Sequence, residues 1–428
     1  MALIYFETYG CSNNKAETQI MAGILHQNDH TIVDNVQEAD LVIVNTCSVK
    51  SATEQKILYE IKTLQEQEKK IIIAGCMPDA EYDVVKKHAP DASLIGTHRI
   101  LEIEQVIEAV LAGKHSEQVG KEKIEKIGVP RFSNEQTVHI IPIASGCISS
   151  CSFCSTKQAK GALFSYEPDH IVAEIKKHKD NGSTEFWLTS QDCGCYGFDK
   201  KTNLATLLEA ITTHARGKYF IRVGMANPQH IKKILPELIV AYQNNHVFKF
   251  LHVPVQSGSD EMLRAMNRGH TVQDFIDVVN AFRTAIPEIT IWTDMIVGFP
   301  GETEKDFHAS MDLVTKIRPD YVNVSSYASR PNTAAARLHQ VPTAVKKERT
   351  EQMSALVRTI SLEKNVAWIG WNGSVIIDEY NTKKKSWIGR NPSYKPVVVS
   401  GDVHLGDVVT VDIVAAKRNH LVGIVQER

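Results

Sequence analysis

Short apolar runs alternate with helix-like stretches through most of this chain, and in the first series each run is soon followed by a cysteine. Runs at 2–6, 40–45 and 70–74 precede helical patterns at 13–25, 51–65 and 79–88, and Cys11, Cys47 and Cys76 stand just beyond the runs. Strands alternating with helices at this spacing predict a small parallel α/β sheet. Loops past the carboxyl ends of parallel strands gather on one edge of such a sheet. Three cysteines far apart in the chain can therefore meet in space.

The second series is longer. Strand-like runs recur at 138–144, 185–189, 219–223, 248–253, 290–296 and 321–325, with helical patterns such as 168–178, 204–214, 229–242 and 304–316 between them. Six β-then-α units predict an open or partial (β/α)6 barrel with its chemistry on loops at the C-terminal strand ends. A long helical stretch, 344–368, closes this part. From 372 the pattern changes to β-rich runs at 374–379, 395–399, 407–414 and 420–425, which predict a small antiparallel barrel. The expected division is a Rossmann-like α/β domain at 1–113, a connector rich in Lys and Glu at 114–136, the (β/α)6 barrel at 137–368 and the small β-barrel at 369–428.

With 48 Lys and Arg against 50 Asp and Glu, the formal charge is −2, which excludes a uniformly basic polyanion binder. Contact with nucleic acid then needs a local basic surface. The last unit carries Lys383, Lys384, Lys385, Arg390, Lys395, Lys417 and Arg418. Such a face either grips RNA backbone or keeps a loop solvated, and composition does not choose. No apolar run of about 18 residues occurs and the start has no signal-peptide pattern, so a cytoplasmic protein without membrane contact is expected, its eight cysteines held as thiols or thiolate ligands.

Directly after the first barrel strand comes Cys147-Ile-Ser-Ser-Cys151-Ser-Phe-Cys154. Three thiolates on one loop suit three irons of a [4Fe–4S] cube and leave the fourth iron open to a small chelating ligand. Zinc is the alternative, but a structural zinc site takes four ligands and no fourth Cys or His stands at the usual spacing.

This loop resembles that of the radical S-adenosylmethionine (SAM) enzymes, with an aromatic residue, here Phe153, before the last cysteine. The resemblance implies that Cys147, Cys151 and Cys154 hold a cluster whose open iron chelates SAM, that Phe153 lies by the adenine, and that SAM cleavage yields a 5′-deoxyadenosyl radical. Tyr9-Gly-Cys11-Ser, Asn45-Thr-Cys47-Ser and Ala74-Gly-Cys76-Met-Pro78 in turn resemble the N-terminal domain of the methylthiotransferases. That likeness implies a second [4Fe–4S] cluster on Cys11, Cys47 and Cys76, where sulfur is held and methylated. Strand-end motifs at Gln191-Asp192, Gln256-Ser257-Gly258 and Gly298-Phe-Pro-Gly-Glu302 are similar to that family's barrel motifs. They make Gln191, Asp192, Gln256 and Ser257 SAM-pocket candidates, with Arg264 and Arg268 as partners for its carboxylate.

Three phrases resemble the branch acting on tRNA that bears N6-threonylcarbamoyladenosine, of archaeal and eukaryotic type. They are Cys154-Ser-Thr-Lys-Gln-Ala-Lys160-Gly161, Trp187-Leu-Thr-Ser-Gln191-Asp192-Cys193-Gly-Cys195-Tyr-Gly197, and Trp387-Ile-Gly-Arg390-Asn-Pro-Ser-Tyr394-Lys395 in a C-terminal barrel similar to the TRAM domain. The departures are Gln191 in place of Glu, Cys193 and Cys195 in place of Thr and Ala, and Lys160 in place of Arg, which loses bidentate phosphate geometry if it touches RNA. Eukaryotic members often carry a hydrophobic tail anchor absent from these residues, so a soluble prokaryotic-type form is expected. The resemblance implies conversion of the modified adenosine at tRNA position 37 to its 2-methylthio derivative by C2–H abstraction, with an electron-donor protein and a sulfur source as partners. RNA contacts would come from Lys383, Lys384, Lys385, Arg390 and Lys395. Rival readings are isopentenyladenosine tRNA or a ribosomal-protein aspartate as substrate, or a catalytically silent Fe–S protein that binds RNA.

Overall fold

The computed structural model describes residues 1–48, 51–133 and 137–426; the end of the expected connector, 134–136, and the last two residues of the small β-barrel lie outside the described residues. The N-terminal strands are β1 (Leu3–Thr8), β2 (Thr31–Ile32), β3 (Leu41–Thr46), β4 (Lys70–Gly75), β5 (Ser93–Gly96) and β6 (Glu117–Gln118). They form one parallel sheet in the order β2-β1-β3-β4-β5-β6. Its helices are α1 (Ser12–Gln27), α2 (Ser51–Glu66), α3 (Cys76–Ala80), α4 (Tyr82–His88) and α5 (Ile103–Leu111). β3 and β4 are apolar on both faces, because one side packs under α1 and α5 and the other under α2 and α4. Two details differ from the sequence expectation. The helix expected at 79–88 is two helices, the first beginning at Cys76 itself, and the charged connector contributes the edge strand β6.

The barrel strands are β7 (Val138–Pro142), a short antiparallel pair β8 (Ala144–Ser145) and β9 (Phe164–Ser165), then β10 (Glu185–Thr189), β11 (Phe220–Val223), β12 (Phe250–His252), β13 (Thr290–Val297) and β14 (Tyr321–Ser326). β7, β10 and β11 pair in parallel, as do β12, β13 and β14. The Phe248 N–H donates to the Ile221 carbonyl at 3.0 Å and carries the series across, so six strands follow one another as a half-barrel. Around them lie α6 (Thr156–Lys160), α7 (Pro168–Asp180), α8 (Leu204–His214), α9 (Pro228–Ile231), α10 (Leu235–Gln243), α11 (Asp260–Ala265), α12 (Val272–Ala285), α13 (Glu304–Ile317) and α14 (Thr343–Val366). The single helix expected at 229–242 is broken because Pro236 lacks an N–H and cannot sit inside a helix, so it opens α10 instead.

Side chains alternate along these strands. Phe186, Leu188, Ile221, Val223, Leu251 and Ile291 pack outward under the helices, whereas Trp187, Arg222, Phe250 and Trp292 face the barrel interior. The C-terminal strands β15 (Asn372–Asn381), β16 (Ser386–Arg390), β17 (Pro396–Ser400), β18 (Val408–Ala416) and β19 (Leu421–Val425) close into a barrel in the order β15-β16-β17-β19-β18. The sequence pattern missed β16, whose pairing depends on the tight hairpin through Lys383–Lys385.

This small barrel docks at the N-terminal ends of the larger barrel's strands, opposite the cysteine loop. Lys249 N–H, just before β12, donates to the Pro392 carbonyl at 2.8 Å, and Tyr394 plugs the interior against Phe248, Phe250 and Arg222. Lys395 is wholly buried there and bonds Asp320 Oδ1 at 2.7 Å and Asn365 Oδ1 at 3.0 Å. Arg390 pairs with Asp378 at 2.8 Å over the Tyr394 ring. The expectation that Arg390 and Lys395 contact RNA is corrected by this placement: both cations are turned into the joint between the barrels. Lys383, Lys384 and Lys385 are exposed at the hairpin tip.

Candidate cluster and substrate site

Each N-terminal cysteine sits where a strand hands over to a helix. Cys11 follows β1, Cys47 follows β3 and Cys76 opens α3 straight after β4. Gly10 has φ +116, and a Cβ there would lie 2.8 Å from the Cys47 Cβ, so only glycine lets the two loops approach this closely. Asn14 ties them, accepting from Cys11 N–H at 3.3 Å and donating to the Thr46 carbonyl at 3.0 Å. Cys47 and Cys76 are buried and Cys11 is exposed. The three cysteines thus share one sheet edge.

The barrel's cysteine loop is held just as tightly. Gly146, at φ +74, lies against the Ala162 backbone. Ser152 N–H donates to the Met266 carbonyl at 3.0 Å, Asn267 donates to the Ser150 carbonyl at 2.6 Å, and Lys157 bonds the Cys147 carbonyl. All three residues are partly exposed. Ser149 N–H reaches Cys147 Sγ at 3.3 Å and Arg268 reaches Cys151 Sγ at 3.4 Å. Donors aimed at sulfur suit thiolates, so this donor set fits a cluster. Phe153 stands edge-on to Phe299, with ring centroids 6.3 Å apart, on an apolar patch with Met262, Met266 and Tyr327.

The two cysteine loops touch. Ser155, next after Cys154, donates from Oγ to the carbonyl of Ser48, next after Cys47, at 2.7 Å. Farther in, Glu17 of α1 is fully buried and its Oε1 accepts from Lys126 and Lys160 at 2.6 Å each and from Thr97 at 2.5 Å. Burial opposes the Glu17 charge, yet the two ammoniums hold its carboxyl down to about 2. Burial pushes the Cys76 thiol up to about 12, against the pull of the Lys160 charge. A buried cation beside these sulfurs fits an anionic sulfur cluster there. Lys160 is thus buried, which corrects the idea that it meets RNA.

The SAM-pocket candidates separate. Gln191, at the end of β10, keeps a buried Oε1 without a hydrogen-bond partner among the described residues. Gln256 holds φ +75, a strained conformation of the kind found at ligand sites, beside β13. Asp192 and Ser257 are both buried and hydrogen-bonded within the protein. Asp192 is fully buried and accepts from Gly194 N–H, Asn227 N–H, Asn227 Nδ2 and His230 Nδ1 at 2.6–3.1 Å. Asn227 in turn accepts from Arg268, which links Asp192 to the arginine beside Cys151. Ser257 is sealed between its own turn and Ser310 of α13. Arg264 is exposed on α11.

Comparison with known proteins adds the family. Residues 3–96 match the uncharacterized protein family UPF0004, 141–314 the Radical SAM superfamily and 374–425 the TRAM domain. Over 380 residues, 88% of this chain and 89% of the relative, the sequence is 43% identical to the probable threonylcarbamoyladenosine tRNA methylthiotransferase of Pyrococcus horikoshii. The chain belongs to the threonylcarbamoyladenosine tRNA methylthiotransferase family. The human threonylcarbamoyladenosine tRNA methylthiotransferase is 35% identical over 430 residues, 98% of this chain and 73% of its own length. Among solved structures, the radical S-adenosylmethionine methyltransferase TsrM from Kitasatospora setae shares the fold at TM-score 0.57 and 14% identity, over 78% of this chain and 77% of that one.

In this methylthiotransferase three groups gain their setting only from the fold: Cys195, noted from the sequence as a departure, and two polar groups that the sequence pattern passed over. Cys195, buried on the turn after β10, lies with its sulfur, Cys147 Sγ and an Asp192 oxygen all within 4.8 Å of one another, and its thiol draws the Cys147 thiol below the usual range. Inside the barrel His252 Nε2 meets Asp294 Oδ2 at 2.8 Å and Asn323 donates to Asp294 Oδ1 at 2.7 Å. Polar residues at inward positions of three successive strands were a readable signal for that group. The Glu17 pairing had none, because its partners stand 109 and 143 residues away.

Proposed function

We propose that this radical SAM methylthiotransferase converts N6-threonylcarbamoyladenosine at position 37 of tRNA to 2-methylthio-N6-threonylcarbamoyladenosine. The observation that supports it most is the contact of the two three-cysteine loops through Ser155 and Ser48, which brings a SAM-cleaving site and a sulfur-carrying site to one mouth. The names of the relatives, from archaea to human, agree in the substrate. Cys147, Cys151 and Cys154 would hold one [4Fe–4S] cluster with SAM on its open iron, and Cys11, Cys47 and Cys76 a second. When bound, these groups supply the radical that removes the C2 hydrogen and the methylated sulfur that takes its place.

The chain's own residues do the rest. Phe153, Phe299 and Tyr327 give the mouth an apolar wall that excludes water. Arg268, oriented through Asn227 by Asp192, offers a fixed cation next to Cys151, and Gln191 Oε1 an acceptor for a ligand N–H or O–H. The C2 edge of adenine is engaged inside an RNA stack, so the base must be splayed into the barrel, where Asp294, held between His252 and Asn323, can accept from its exocyclic N–H. The exposed lysines 383–385 sit at the opposite end and grip the backbone beyond the loop. An electron-donor protein, a sulfur source and a cytoplasmic location complete the reading.

The test is anaerobic reconstitution with iron, sulfide, SAM, reductant and tRNA carrying threonylcarbamoyladenosine, then nucleoside mass analysis. The product is heavier by one methylthio group in place of hydrogen. Formation of 5′-deoxyadenosine with no change in this tRNA, alongside methylthiolation of isopentenyladenosine tRNA or of a ribosomal-protein aspartate, would overturn the substrate.

A further inference from the structure

Lys160 belongs to the barrel, six residues past Cys154, yet its ammonium lies in the N-terminal domain. Its side chain is 2% exposed and that of its neighbour Lys126 is 3% exposed. Both converge on one oxygen of one carboxylate, Glu17 Oε1, so two buried cations share a single direct counter-ion. The other oxygen, Oε2, has no hydrogen-bond partner among the described residues. Asp79, the other carboxyl near Lys160, turns its oxygens to the N–H groups of Thr97 at 2.8 Å and Gly120 at 3.2 Å. A buried cation in excess of its direct partner is costly unless an anion faces it. What packs beside Lys160 is the cysteine edge of the first domain: Ala159, the residue before it, lies in one buried cluster with Cys76 and Ala80.

We propose that Lys160 is a positioning residue for the N-terminal cluster: its ammonium, delivered from the barrel's own cysteine loop, is the counter-charge that holds that cluster's anionic sulfur set and raises its reduction potential. The inference rests on the reading that Cys11, Cys47 and Cys76 hold a cluster. A fixed positive charge in a water-excluded site favours whichever state of its neighbour is more negative, here the reduced cluster and an anionic sulfur on its open side. Lys160 therefore makes the sulfur chemistry of the first domain depend on correct seating of the second domain's loop.

The experiment uses the full chain with Cys147, Cys151 and Cys154 replaced by Ala, so that only the N-terminal cluster remains, and measures its midpoint potential by EPR-monitored titration. Lys160→Met is expected to make reduction at least tenfold less favourable, a shift of ~59 mV or more to negative potential for one electron. Lys160→Arg, which keeps the charge, should restore most of the parent value, and Glu17→Gln, which removes the opposing charge, should move the potential the other way. A purely structural role would shift Lys160→Met and Glu17→Gln in the same direction, and that result, or shifts below tenfold, overturns the inference while leaving the second cluster in place. Absence of iron from this parent, with no further loss in Cys76→Ala, overturns the cluster reading itself.

Discussion

Replacing Lys395 with Ala tests how the small barrel is held to the large one. Asp320 is 5% exposed, with Oδ1 on Lys395 and Oδ2 on the Ile291 N–H at 2.9 Å. Removing the ammonium leaves a buried carboxylate with one backbone donor, and breaking a buried pair from one side costs about 3–5 kcal/mol. Burial already holds the Lys395 pKa below its usual range, so part of that figure is offset by relief of the lysine's own desolvation, and the lower end is expected. About 3 kcal/mol is roughly two orders of magnitude in the opening equilibrium. Because the chain has several domains, the readout is local: hydrogen exchange of the β17 amides Val397 and Val399, with β4 of the N-terminal sheet as the internal control. Protection in β17 should fall about a hundredfold and in β4 not at all. The double variant Lys395→Met with Asp320→Leu should recover most of the loss. If the single variant leaves β17 protected, or if the two substitutions simply add, the ion pair is not what docks the barrel.

Three further outcomes follow from the same geometry. Lys383→Ala, Lys384→Ala and Lys385→Ala together should weaken tRNA binding and lower the slope of log affinity against log salt by about one per lost phosphate contact, measured by filter binding; an unchanged slope would place the RNA elsewhere. Burial pushes His98, His139 and His270 down to about 4, below the unfolded value near 6.5, so between those pH values the unfolded chain binds protons that the folded chain refuses. Stability should therefore fall as pH drops from 6.5 toward 4, by about 1.4 kcal/mol per pH unit for each histidine, and a flat profile in urea titrations over that window contradicts their neutral burial. In iron-free protein Cys195→Ala should slow alkylation of Cys147 at neutral pH by removing the thiol that stabilises its thiolate; an unchanged rate would show that the neighbouring sulfur is inert.

Much of this protein is legible one residue after another. Alternation of apolar runs with helical periods specifies a parallel sheet and a half-barrel, and the placement of Cys11, Cys47 and Cys76 after strand ends and of Cys147, Cys151 and Cys154 on one loop locates both cysteine sets. These are local properties: period 2 or 3.6 states which face of an element is apolar, and parallel topology sends the following loops to one edge. The fate of individual polar side chains is not local. Lys160 and Lys395 read as solvent-facing cations and are buried against acids 143 and 75 residues away, whereas Lys383, with the same chemistry, stays in water. Asp192 reads as a ligand contact and is used up by Asn227 and His230. A charge has the same intrinsic chemistry wherever it stands, and its cost, partner and role follow from the water that packing removes around it. That removal depends on which distant segments meet, so the cysteine loops could be named from the chain while the cations between them could be assigned only once the domains were seen together.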